Sequence, residues 1–440
     1  MMLILMVVVY FQGLWLAFIP LTRRQTTAAG GQPVGEPDAP NPGGHKTYDV
    51  ILLGGGCSAM QWLHGWHYSD QGGSEPGEMS ASPRMLVVDS AGTPARTWCF
   101  WAKHSHIYDP VVSHRWEKLR FMAPQGGKEA SIAPYSYQYI SGADFFERAD
   151  EVVEAIDGVE SLEAEVEATE RVDQRTRVIT DQGVVEAPQV YSSIIDRRKI
   201  AAASQERERD IPGIWQHFRG WFLETEEEAF DPEVATLMDF RTAQEGGVVF
   251  FYLLPFSERR ALVECTVFGP QIWDQEAYDE RLQQYIDTHL PGAREHRVYR
   301  TEQGQIPMTM ADMEQFRFEG TQALGTAAGM VKPTTGYMFK RSMLATLRAF
   351  AFDDEPRRPR WESPDRFEFY DRLLLGIIEE EPEKVAAIMH ALFTRNDMRQ
   401  VLRFLDEEST VAQDAKMFAT LPYTPFLKQV VKQHVSRLLS

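Results

Sequence analysis

Tyr48-Asp49-Val50-Ile51-Leu52-Leu53-Gly54-Gly55-Gly56-Cys57-Ser58-Ala59 decides the fold, because it reads as strand, tight turn and helix in immediate succession. The apolar run to Leu53 is short enough for a buried parallel strand. Gly54-x-Gly56-x-x-Ala59 follows, and an amphipathic stretch begins near Met60. Glycine is needed there if the backbone must turn sharply and approach a pyrophosphate, with the unpaired N–H groups of a helix N-terminus facing the anion. About 30 residues on, Met85 to Val88 gives a second buried strand ending at Asp89, where a carboxylate can accept hydrogen bonds from ribose hydroxyls. A purely structural glycine turn is the competing reading. The strand before it, the helix after it and the acid at the next strand end favour a dinucleotide.

A second glycine-rich turn, Thr326-Ala327-Ala328-Gly329-Met330-Val331-Lys332-Pro333-Thr334-Thr335-Gly336-Tyr337, lies far along the chain. Gln322 to Gly325 looks like a strand end, and Pro333 to Gly336 lead into a helical run from Tyr337 to Phe350. A helix starting at Thr334 or Thr335 aims its positive end across the cleft, in flavoproteins often at the pyrimidine edge of the isoalloxazine, and favours an anionic reduced flavin. Two such turns suggest one flavin held at both ends. A capped helix after a Pro-containing loop also accounts for these residues.

A chain of 440 residues with 43% hydrophobic residues is long enough for two or three structural units. Cys57, Cys99 and Cys265 form no C-x-x-C pair and no metal-ligand spacing, so no metal is expected and a reducing compartment fits better than a disulfide framework. The net charge of -19 argues against nucleic acid as a partner.

Met1 to Thr22 carry no charge, and as a helix rising about 1.5 Å per residue they could cross a bilayer core of roughly 30 Å. Arg23 and Arg24 follow, which would leave the main body on the cytoplasmic side. A membrane anchor, a signal peptide and translated sequence upstream of the true start compete. The Gly/Pro-rich stretch from Ala28 to Gly44 reads as a linker, with a boundary near His45.

Aromatic residues cluster at Arg96-Thr97-Trp98-Cys99-Phe100-Trp101, at Pro134 to Ile140 and at Trp215 to Trp221. They are either core or the wall of a long apolar pocket, where ring faces are good neighbours for a carbocation. Thr236 to Phe240, Val248 to Pro255 and Arg260 to Phe268 suggest three antiparallel strands apart from the parallel sheet. In Leu262-Val263-Glu264-Cys265-Thr266, alternation points Glu264 and Thr266 the same way. Glu264 is then a solvent residue on an edge strand or a buried acid with a raised pKa, suited to giving a proton away. Asp239 is a second strand carboxyl, either a structural acid or a group that orients substrate or relays a proton. His217 reads as a core or surface histidine, with a base as the alternative.

These blocks together resemble the flavin-dependent lycopene cyclases of bacteria, from about Tyr48 to Phe426. The markers are Tyr48-Asp49-Val50 with Gly54-x-Gly56, Arg96 to Trp101, Gln216-His217-Phe218-x-Gly220-Trp221, Met238-Asp239-Phe240-Arg241, Leu254 to Ser257, Leu262-Val263-Glu264, Ile306-Pro307-Met308, Gly325 to Gly329 with Lys332 to Tyr337, and Phe404-Leu405-Asp406-Glu407. The resemblance implies an α/β fold similar to aromatic-hydroxylase-type flavoproteins: an FAD-binding Rossmann-like parallel sheet over residues 46–355, an interleaved antiparallel substrate sheet at about 205–300, and a mostly helical region at 356–440. It implies an intramolecular lyase or isomerase acting on lycopene and related acyclic carotenes, forming beta-ionone rings to give gamma- and beta-carotene. FAD would be reduced by NADPH, with no net redox change.

By the same resemblance the essential acid falls on Glu264 and the cofactor set on Gly54, Gly56, Ala59, Asp89, Arg96, Gly325, Gly329, Thr335, Gly336 and Tyr337. Cys265 stands where many relatives carry an acid or an aromatic residue. An FAD oxidoreductase acting on an isoprenoid, a polyprenyl reductase or a hydroxylase, is the alternative, and a flavin-binding protein without catalysis is a further one. Phe426, Leu427, Val430, Val431, His434 and Leu438 fall near helical spacing, with Lys428, Lys432 and Arg437 among them. Such a helix either lies on a membrane surface or packs against the body.

Overall fold

A computed structural model describes residues 45–72, 83–90, 96–196, 198–199, 214–351 and 359–439. The apolar span and linker read at residues 1–44 lie outside these residues. No helix among the described residues is long and apolar enough to cross a membrane.

Val50–Leu53 is a strand with all four residues buried, at the centre of a five-stranded parallel sheet. Its neighbours are Met85–Asp89 on one side and Gln189–Ser192 on the other, with Val159–Glu163 and Gln322–Ala323 at the edges. Continuous burial is what a strand covered on both faces requires, and it explains the run of aliphatic residues without alternation. Gly54 turns the chain at φ +85, and the helix Cys57–Gly72 starts immediately after it. Ala59 is fully buried in that helix, where a small side chain lets the helix sit close on the sheet.

A second sheet has seven strands in the order His296–Met308, Ile214–Thr225, Arg260–Gly269, Val248–Ser257, Val234–Asp239, Lys118–Ala123 and Gly126–Ser131. Its pairings are antiparallel except between Val234–Asp239 and Lys118–Ala123. The three antiparallel strands read from the sequence form its middle, and the sheet extends beyond the expected 205–300 at both ends. Trp215 to Trp221, read as an aromatic cluster, belongs to its long second strand.

One face of this sheet packs Val263, Cys265 and Val267 against Tyr278, Leu282 and Ile286 of the helix Gln275–His289. Each large aliphatic or aromatic side chain buried this way contributes about 1.5–3 kcal/mol. The other face meets a three-stranded sheet, Thr97–Ala102, Ser136–Ser141 and His114–Trp116, and helices of the C-terminal region. That region is helical throughout its main elements: Asp365–Glu380, Val385–Arg395, Met398–Leu405, Val411–Phe418 and Tyr423–Leu439.

The helix Tyr423–Leu439 packs on the body. Gln429 is buried and donates to the Gly376 carbonyl at 3.0 Å and to Glu380 at 2.9 Å, while Lys428 pairs with Glu381 at 3.3 Å. Tyr423 and Val431 remain on its exposed side.

Candidate active site

One continuous cavity of about 1300 Å³ runs from Gly54, Asp89 and Arg96 to Thr335, Gly336, Tyr337, Glu264 and Glu302. It therefore joins the first glycine turn, the second turn and the expected acid, which lie far apart in sequence. At the first turn, a Cβ on Gly55 would stand 2.9 Å from Asp89 Oδ2, so the backbone and the acid approach as only glycine permits. A Cβ on Gly56 would meet nothing within 4 Å, which leaves an open cradle at the helix N-terminus. An open cradle at a helix N-terminus beside a strand-end acid is a donor and acceptor set that fits a dinucleotide.

The second turn is built differently from the expectation. The helix starts at Phe339 rather than at Thr334 or Thr335. Gly336 stands at φ +71, and the chain closes on itself through Gly336 N–H to the Lys332 carbonyl at 2.9 Å and Lys332 N–H to the Tyr337 carbonyl at 2.9 Å. A residue in the left-handed region cannot continue a right-handed helix, so the helix begins only after this loop. Thr335, Gly336 and Tyr337 face the cavity, whereas Gly325 and Gly329 serve the backbone. Gly325, at φ +55, lies so close to Ser58 that a Cβ would stand 2.1 Å from its Oγ, and Gly329, at φ +67, ends a short turn.

Buried ion pairs fasten this loop to the C-terminal region. Lys332 Nζ lies 2.9 Å from both Asp371 oxygens and 3.0 Å from Glu407, and Thr334 donates to Asp371 at 2.6 Å. Lys340 donates to the Trp101 carbonyl at 3.0 Å and pairs with Asp406. The Phe404-Leu405-Asp406-Glu407 block thus supplies partners that hold the second turn.

Glu264 sits at the inner wall. Reading across four adjacent strands, its row is Glu302, Gly220, Glu264, Tyr252. Thr266, on the same face, donates to Glu264 at 3.1 Å, as the alternation predicts. Leu262 lines the cavity beside it, and Tyr137, Tyr252 and Tyr337 form a phenol cluster in which the Tyr137 and Tyr337 hydroxyls lie 3.3 Å apart. The partial exposure of Glu264 is exposure to the cavity it lines. Burial, and then the negative charge of Glu302, hold its carboxyl well above the usual carboxyl range, with a hydrogen bond to Glu302 acting in the same direction. An acid in that state holds its proton to higher pH than a solvated carboxyl does.

Glu302 escaped the sequence reading. Its strand, His296–Met308, lies at the sheet edge and is mostly polar, so no apolar alternation marks it. Glu302 itself is buried, accepts from Thr97 Oγ1 at 3.0 Å, and is raised by burial to about 7 against the lowering effects of Thr97, Arg300 and a hydrogen bond from Glu264. A glycine within the aromatic strand was the available signal, because Gly220 lies between the two carboxyls.

Asp239 is not brought to the cavity. It is fully buried, where burial alone would raise its pKa, but hydrogen bonds from Arg241 and Tyr285 outweigh that and hold it below the usual carboxylate range. The bond to Arg241 Nη2 is 2.6 Å and that to the Tyr285 hydroxyl 2.8 Å. The catalytic reading of Asp239 therefore gives way to a structural ion pair. His217 is likewise buried, hydrogen-bonded through Nδ1 to Tyr278, and lowered by burial to about 4.

The family described as "Lycopene cyclase protein" matches residues 49–431. The chain belongs to the lycopene cyclase family. Among curated relatives, the family member of Pseudescherichia vulneris, a lycopene beta-cyclase, is 26% identical over 70% of this chain and 74% of its own length. The lycopene beta-cyclase of Pantoea ananas is 25% identical over 74% of this chain and 83% of its own length. Solved structures with the same fold include a geranylgeranyl bacteriochlorophyll reductase-like protein from Thermoplasma acidophilum, at a TM-score of 0.54 and 14% identity over 88% of this chain and 99% of that one. A flavoprotein/dehydrogenase from Cytophaga hutchinsonii matches at a TM-score of 0.50 and 11% identity over 90% and 99%. The fold of this cyclase-family chain is thus the α/β fold of a flavoprotein, with parallel and antiparallel sheets and a helical C-terminal region.

Proposed function

We propose that this chain is a lycopene beta-cyclase, an intramolecular lyase or isomerase that closes the ends of linear carotenes into beta-ionone rings, with gamma- and beta-carotene as products. The observation that carries this reading is a carboxyl, raised by burial well above the usual carboxyl range, in an aromatic-lined cavity continuous with a dinucleotide-type glycine turn. The family and the lycopene beta-cyclases among its relatives support it.

Glu264 gives its proton to the terminal trisubstituted double bond, so that an O–H bond breaks and a C–H bond forms, leaving a tertiary cation. The neighbouring double bond closes the six-membered ring. Loss of a ring proton then sets the double-bond position. Tyr137, Tyr252, Tyr337 and the rings of Trp98, Phe100 and Trp101 wall the cation with π faces and exclude water that would quench it. Gly54, Gly56, Asp89 and Arg96 would hold the adenosine half of FAD, and Thr335, Gly336 and Tyr337 the flavin end, while Ala59, Gly325 and Gly329 shape the backbone around them. When bound, reduced FAD supplies electrostatic stabilisation of the ring cation without net redox change, and NADPH is its reductant. The substrate dissolves in bilayers, so the protein works at the cytoplasmic face of a membrane, and the exposed Tyr423 and Val431 of the C-terminal helix are suited to contact that surface.

Anaerobic incubation of the purified protein with FAD, NADPH and lycopene, followed by chromatography and mass measurement of the pigment, tests this. Cyclic products of unchanged mass are expected. A product that has gained hydrogen or oxygen makes the protein an oxidoreductase instead.

A further inference from the structure

Glu302 and Glu264 face each other across a residue that has no side chain. In register, Gly220 pairs with Glu264 on one side and Glu302 on the other, and a Cβ there would stand 2.7 Å from Leu262 Cδ1, 3.3 Å from Glu302 Cγ and 3.4 Å from Glu264 Cβ. The glycine leaves room between the two carboxyls inside the cavity wall, where each shifts the other's proton affinity. Thr97, from the strand Thr97–Ala102, donates to Glu302 Oε1 at 3.0 Å. Two buried carboxyls in contact are costly unless they share protons, so the pairing calls for an explanation beyond packing.

We propose that Glu302 is a positioning residue of the same reaction: a second carboxylic acid that donates its hydrogen bond to Glu264 at the moment Glu264 becomes a carboxylate. This rests on the cyclase reading of Glu264. With both groups protonated, Glu264 transfers its proton to the polyene end, and the remaining O–H of Glu302 binds the new carboxylate. When the ring closes, the proton lost from the ring returns to Glu264. One proton leaves and one comes back, with no oxidant or reductant consumed. If Glu302 has already ionised, the same transfer would leave two facing anions, which like-charge repulsion opposes.

The groups facing Glu302 are Arg300 on its own strand, Glu264 on Arg260–Gly269, Cys99 on Thr97–Ala102 and Tyr139 on Ser136–Ser141. Burial raises both Cys99 and Tyr139, so neither ionises near neutrality. The titration of Glu302 at about 7 is then the one that turns the pair off as pH rises.

The test is the pH profile of kcat and KM for lycopene in lipid vesicles, with the FAD-loaded protein reduced by NADPH, for wild type, Glu302→Gln, Glu302→Ala, Gly220→Ala and Glu264→Gln. Wild-type kcat should fall as pH rises through about 7. Glu302→Ala should lose about 100-fold in kcat with KM little changed, the loss typical of removing one donor to a developing oxyanion. Glu302→Gln, whose amide N–H donates at every pH, should recover most of that activity and lose the fall near neutrality. Gly220→Ala should lower kcat by pushing Leu262 aside and crowding Glu302 beside Glu264. Wild-type kcat and an unchanged pH profile in Glu302→Ala overturn the proposal. So does a Glu302→Gln variant as inactive as Glu302→Ala with a disturbed flavin spectrum, which would make the residue structural. Full activity in Glu264→Gln sinks the cyclase acid itself and is a separate outcome.

Discussion

Glu264 and Asp239 are carboxyls of one seven-stranded sheet, on strands separated by one neighbour, and the protein shifts their pKa values in opposite directions. Both are removed from bulk water. Asp239 meets a guanidinium and a phenol and stays ionised. Glu264 meets a hydroxyl, a second carboxyl and aromatic walls, and its carboxyl is held well above the usual range. Burial raises both, so the partners decide the outcome, and the partners differ because the cavity face and the opposite region of the sheet are covered by different elements. A buried strand acid is therefore a proton donor or a structural anchor according to what the rest of the fold packs against it.

The difference predicts opposite consequences of neutralising each acid. Glu264→Gln should reduce cyclisation at least about 10³-fold, within the range for loss of a general acid, while leaving the flavin spectrum intact. Asp239→Ala should instead destabilise the fold by about 2–3 kcal/mol, because Arg241 and Tyr285 lose their buried partner. The kcat of its folded fraction should remain within about twofold of wild type. Thermal or denaturant unfolding beside a turnover assay separates the two, and a large kcat loss in a stable Asp239→Ala protein would erase the distinction.

The pH dependence of stability sharpens it. Glu264 has a folded pKa above its unfolded value, so the folded state keeps a proton the unfolded state has lost. Stability on its account falls as pH rises from about 4.3, by at most about 1.4 kcal/mol per pH unit. Glu264→Gln should therefore gain stability relative to wild type as pH is raised towards neutrality. Asp239 has the reverse sign: its depressed folded pKa gives stability that is present above about 3.9 and lost as pH falls through the folded value. Denaturant midpoints of both variants across pH measure the two slopes, and equal slopes would contradict the assignment.

The legible parts of the fold were those written in local pattern. Tyr48 to Ala59 announced a strand, turn and helix because continuous aliphatic burial and glycine spacing are local requirements. Glu264 was legible as an exception, a charge inside an apolar alternation. Glu302 was not, since its burial comes from neighbours brought by chain distant in sequence, Thr97 above all. The helix after the second glycine turn reads as starting at Thr334 or Thr335, because a threonine before a helical run looks like a cap, while Gly336 in the left-handed region postpones it to Phe339. Asp239 carried its own signal, Arg241 two residues on, which marks an ion pair at a strand end.

The neutral acid is the claim on which the mechanism turns. Isotope-edited infrared difference spectroscopy of wild type against Glu264→Gln, at near-neutral pH and with FAD bound, observes it directly. A protonated carboxyl C=O band is expected in wild type and should disappear in Glu264→Gln. A difference spectrum showing only carboxylate bands would mean that Glu264 has no proton to give.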